Sequence, residues 1–91
     1  MTELCDLRCA AAISAADRLM VEQTVAMDEA FAGPRPLVAM MTYLNRHALE
    51  RKLPEHEAMA AVQAKREELL ASMTPAEVVA EARLCLASPS A

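Results

Sequence analysis

Glycine occurs once, at Gly33, tryptophan is absent, and the aromatic rings are those of Phe31 and Tyr43. Tight β-hairpins ordinarily need Gly or Asn-Gly at positions of positive φ, and no segment alternates apolar and polar residues convincingly, so a sheet is excluded. One glycine also rules out a Gly-rich phosphate loop, and neither a G-x-S-x-G nor an H-E-x-x-H pattern occurs. The sequence therefore predicts no enzyme: no catalytic residue and no cofactor is assigned. "HALE" and "EHE" place histidines near acids, an arrangement that reads on helices as solvated neighbours.

Long apolar runs are lacking as well. Nothing approaches the roughly 18 uninterrupted apolar residues of a membrane span, and Glu3 and Asp6 stand where a signal sequence has a basic region. The chain has three cysteines, an odd number in a sequence with no export signal, which predicts free thiols in a reducing cytoplasm. Alanine, arginine and leucine usage suggests a bacterial source. Cys5 and Cys9, four apart, could share a zinc ion with His47, His56 or Cys85. No C-x-x-C or H-x-x-x-H pair supports such a site, so the cysteines read as small apolar core residues and no metal is assigned.

What is abundant is alanine, which supplies 20 of the apolar residues in a 91-residue chain that is 55% apolar. Alanine buries little area, so the core falls to Leu, Val and Met. Ala, Leu, Met, Glu, Arg and Gln are also the strongest helix formers. The chain reads as one all-α domain of three to four helices with a loose tail from about residue 88. So short and aromatic-poor a domain is expected to be marginally stable alone, which favours self-association.

The first helix is expected from about Thr2 to Ala32, with Ile13, Met20, Met27 and Phe31 on one apolar strip. A capping-box look-alike, Ser14 followed by Asp17, offers the alternative of a break and a second start near residue 15. A thirty-residue helix is about 45 Å long, too long to be covered by the rest of the chain, so the strip is assigned to a homodimer interface. Gly33 and Pro34 end this helix. Pro36 then opens a second helix reaching Lys52, with Leu37, Met40, Met41, Leu44 and Ala48 inward. Pro54 opens a third helix that buries Met59, Val62, Leu69, Leu70 and Met73. "TPAE" opens a fourth, with Thr74 as N-cap and Val78, Val79, Ala82, Cys85 and Leu86 inward.

Charge is unevenly divided. Residues 34–53 carry four bases and one acid, whereas the segments before and after carry six acids each, against two and three bases. This basic island holds the residues assigned to a partner: Met40, Met41, Tyr43, Leu44, Arg46, His47 and Arg51. Methionine adapts to surfaces that are not rigidly complementary, and a tyrosine is a common interface anchor. The function expected is that of a small regulator that binds another protein, for example sequestering a transcription factor or masking its dimer interface. The alternative is a nucleic-acid-associated factor using the cations of 46–52, which the overall charge of −4 disfavours.

Overall fold

The computed structural model describes residues 6–87, and every regular element among them is helical. The order is α1 (Asp6–Val21), a 3-10 turn (Glu29–Phe31), α2 (Arg35–Arg51), α3 (Glu55–Ser72) and α4 (Pro75–Ala87). Helix α1 is the axis of the fold. It packs on α2, α3 and α4 to similar extents, and each of these touches α1 more than it touches the others.

The alanines explain this arrangement. Ala10, Ala11, Ala12, Ala15 and Ala16 are all buried, together with Cys9, Ile13, Leu19 and Met20, so α1 is covered in every direction rather than along one stripe. A helix that is apolar all round has to be enclosed. Methyl side chains let neighbouring axes come to the near end of the usual 8–10 Å packing range, which leaves room for three helices around one. The larger residues come mainly from the outer helices: Leu44 from α2, Val62 and Leu69 from α3, Val78 and Leu86 from α4.

Four polar side chains of α1 leave the core and between them meet all three outer helices. Arg8 donates to both carboxylate oxygens of Glu81 on α4, at 2.5 and 3.0 Å. Ser14 accepts from Arg66 on α3 at 3.2 Å, and Arg18 reaches Glu67 on α3 at 2.7 Å. Asp6 pairs with Arg46 on α2 at 3.5 Å. Ion pairs at such partly exposed sites contribute only about 0–1 kcal/mol each. Their value here is directional, since a helix wall of methyl groups says little about which way a neighbour slides.

The thirty-residue first helix does not form. Helix α1 stops at Val21 in a Schellman motif, with Gln23 at φ 62°, the Gln23 amide donating to the Met20 carbonyl and the Thr24 amide to the Leu19 carbonyl. Glycine usually fills that left-handed position, and a glutamine there gives the sequence no stop signal. The break proposed near Ser14 is not seen either, because Ser14 lies mid-helix with its hydroxyl turned to Arg66. A turn of chain then carries Asp28, which caps the 3-10 segment through Ala30, and Phe31, which is buried. Folding back in this way makes the molecule 36 × 28 × 25 Å, with a radius of gyration of 12.2 Å.

Helix α2 ends by the same device. Lys52 has φ 56°, with its amide on the Leu49 carbonyl and the Leu53 amide on the Ala48 carbonyl. Leu53 then packs on the core ahead of Pro54. The expected box at the start of α4 is present: the Thr74 amide donates to Glu77 Oε1 at 2.9 Å, and the Glu77 amide to Thr74 Oγ1 at 3.2 Å. Thr74→Ala is expected to lower stability by about 1 kcal/mol, the usual value of such a cap, measured by urea denaturation. No change in the midpoint would mean that α4 is held wholly by its packing.

Candidate functional site

The stretch singled out by composition is mostly architecture. Tyr43 is 5% exposed, and its hydroxyl donates to the Cys85 carbonyl at 2.7 Å. Burial raises its phenol pKa, opposed in part by the positive charge of Arg46. Leu44 and His47 are buried beside it, and Met40 and Met41 are half-buried against the core. Arg46 lies 5.3 Å from the centre of the Tyr43 ring while also pairing with Asp6. Of the seven residues assigned to a partner, Arg51 alone is fully on the surface.

The position of Tyr43 has a physical reason. The last four carbonyls of a helix have no partner within it, and α4 has no basic residue in its last turn. Two side chains of α2 supply the missing donors. Tyr43 bonds the Cys85 carbonyl, and Arg35 bonds that of Leu86 at 3.4 Å. Helix α2 thus caps helix α4 from the side.

The cysteines also depart from expectation. Cys9 on α1 and Cys85 on α4 are joined in a disulfide, with their Cα atoms 5.6 Å apart across 76 residues of sequence. Bonded to each other, neither is a free thiol and neither offers a thiolate to a metal, and both are buried. Cys5 lies outside the described residues. Among the described residues no three His, Cys, Asp or Glu side chains gather closely enough to hold a metal ion.

The strip assigned to a dimer is divided. Ile13, Met20 and Phe31 are core residues of the single chain, whereas Met27 is 67% exposed in the turn after α1. The strip was drawn on a continuous helix, and the turn at Gln23 removes its geometry. Five of the six methionines after Met1 (Met20, Met40, Met41, Met59 and Met73) pack in or against the core, filling gaps between alanine-rich surfaces. The larger apolar residues of α1 from Cys9 to Met20, namely Ile13, Leu19 and Met20, are all buried within the single chain.

What the structure does leave bare is the outward face of α2. Leu37, expected inside, is 61% exposed, Val38 is 61% and Leu49 is 79% exposed. Val38, Met41, Asn45 and Leu49 follow at spacings of three, four and four, which sets them along one helix face. Val38 and Leu49 fell off the predicted inner strip, and that was the available signal: large apolar residues opposite a face already assigned to the core. Cations stand at both ends, Arg35 in the first turn and Arg51 and Lys52 at the last, all exposed. No acid occurs between Glu29 and Glu50.

In the second half of α3 the outer charges Lys65, Arg66, Glu67 and Glu68 are already matched. Glu67 accepts from Arg66 and Arg18, and these hydrogen bonds hold its carboxyl below the usual glutamate range; Lys65 does the same for Glu68. These elements define a small all-α protein, three helices wrapped on a fourth, with one unpartnered face on α2. Compared with protein families, with curated proteins and with solved structures, the chain matches none. No helix among the described residues is long and apolar enough to cross a membrane.

Proposed function

We propose that this chain is a small regulator that acts by binding another protein, and that the outward face of α2 is the contact surface. The observation that carries this reading is the exposure of Leu37, Val38 and Leu49 on one helix of so small a molecule. Single exposed apolar residues need no explanation, but Val38 and Leu49 at the two ends of one helix line, with half-buried Met41 between them and Leu37 beside it, suit a helix-recognition mode of binding. Sequestering a transcription factor or masking its dimer interface is one form such regulation takes, and the Cys9–Cys85 bond favours an oxidising compartment over the reducing cytoplasm that free thiols would suit.

The nucleic-acid reading has no comparable support. Of the cations in 46–52, Arg46 is engaged by Asp6 and the Tyr43 ring, and His47 is buried, which leaves Arg51 and Lys52. Two cations release few counterions.

The test compares the wild-type chain with a Val38→Glu, Leu49→Glu variant as bait for lysate protein, with and without nuclease. Both positions are exposed, so the variant should keep its circular dichroism and melting temperature. Protein retained by the wild type, resistant to nuclease and lost from the variant is the expected result. Retention equal on both baits would move the contact surface elsewhere, and retention abolished by nuclease would favour nucleic acid.

A further inference from the structure

On the reading that α2 is a contact surface, we infer that its occupant is an acidic amphipathic helix of another protein and not a second copy of this chain. The inference comes from the distribution of charge around the apolar face. Val38, Met41 and Leu49 run down the middle, Asn45 interrupts them as the one uncharged polar group on that line, and Thr42 flanks it. Arg35, three residues before Val38, stands at one end and Lys52, three residues after Leu49, at the other, with Arg51 beside it but round the helix from that line, and the helix has no acid until Glu50. This is a cationic frame on a protein of net charge −4.

A second copy fits this frame poorly in either orientation. Two α2 helices laid antiparallel bring Arg35 of each copy toward Arg51 and Lys52 of the other. Laid parallel, they bring like ends together. Like charges juxtaposed across an interface oppose association and act as a filter against the wrong partner. An acidic surface of a second copy could meet α2 reciprocally in a closed pair or head to tail, but among the described residues the other exposed large apolar side chains, Val21, Met27 and Leu84, lie one to a segment, so none of those surfaces offers α2 an apolar helix face. A foreign helix with leucine-type residues three and four apart and glutamates or aspartates at both ends satisfies the apolar centre and the cations together. The half-buried Met41 gives the centre a side chain able to adjust to the helix that arrives.

Two synthetic helical peptides of about twenty residues serve as probes. They share one apolar face and differ only in that the flanking charges are all Glu or all Lys. Affinity is read by fluorescence anisotropy against the intact, disulfide-bonded chain at low and high salt. We expect the Glu peptide to bind about ten-fold or more tightly than the Lys peptide at low salt, with the gap closing as salt rises. The Arg35→Gln, Arg51→Gln, Lys52→Gln variant should lose that preference, and Val38→Glu with Leu49→Glu should lose both peptides.

Equal or reversed preference, with binding still abolished by Val38→Glu and Leu49→Glu, would overturn the acidic partner while leaving the α2 surface standing. Peptide binding indifferent to Val38→Glu and Leu49→Glu, or no binding of either peptide up to about millimolar concentration, would overturn both. Sedimentation equilibrium of the chain alone supplies the last arm. A dimer that Leu49→Glu splits into monomers would make the second copy the occupant and end the proposal.

Discussion

Reduction of the Cys9–Cys85 bond should lower the melting temperature by about 20 °C or more, since closing 76 residues of an unfolded chain is worth about 4.5 kcal/mol in loop entropy. A domain of this size has total stability of about 5–15 kcal/mol, and the alanine-rich core places it toward the low end. Most of the margin therefore rests on one bond. Reduction is a cleaner test than replacement because it leaves both sulfur atoms in their buried places, so packing loss is minimal. Circular dichroism melts with and without reductant, the bond verified by the two-hydrogen mass difference, give the answer. Coincident melts would mean that the bundle holds its fold by packing alone.

Tyr43→Ala should be the most damaging single substitution on α2. It removes a buried ring from beside the disulfide, strips Arg46 of its aromatic partner and leaves the Cys85 carbonyl without its donor. Aromatic-to-alanine changes in cores cost about 3–5 kcal/mol. Tyr43→Phe separates these contributions, because it keeps the ring and removes only the hydroxyl, at a cost of about 1–2 kcal/mol for the unpaired carbonyl. Denaturant midpoints for the two variants should therefore differ widely, and loss of peptide binding should track loss of fold. A Tyr43→Ala chain that melts like wild type but no longer binds would return Tyr43 to the role of anchor.

How much of this was legible in the sequence can be judged residue by residue. Helix boundaries written in proline or in a capping box were readable: Pro36, Pro54 and the Thr74 to Glu77 box begin α2, α3 and α4 close to where they were expected. The end of α1 was not readable, because Gln23 occupies a left-handed position that glycine usually marks, and the turn there puts Ile13, Met20 and Phe31 of the expected dimer strip in the core and Met27 on the surface. Disulfide pairing was hidden too, since two cysteines at opposite ends of a chain have no spacing pattern. Tyr43 misled for a further reason. Its neighbours Arg46 and His47 look like a surface cluster in one dimension, and only the arrival of α4 and Asp6 shows that they are the edge of a core. The exposed line through Val38 and Leu49 is present in the letters as large apolar residues outside the inner strip, but two such residues eleven positions apart do not by themselves mark a surface.

The disulfide also decides how this molecule carries load. Its two cysteines lie near the ends of the described chain, so a pull applied beyond Cys9 and Cys85 passes straight through the sulfur bridge. The four-helix body hangs beside that path and feels no tension. When the bridge opens, the chain between its ends, a sequence separation of 76, enters the line of force, releasing roughly 250–270 Å of slack once the bundle unravels.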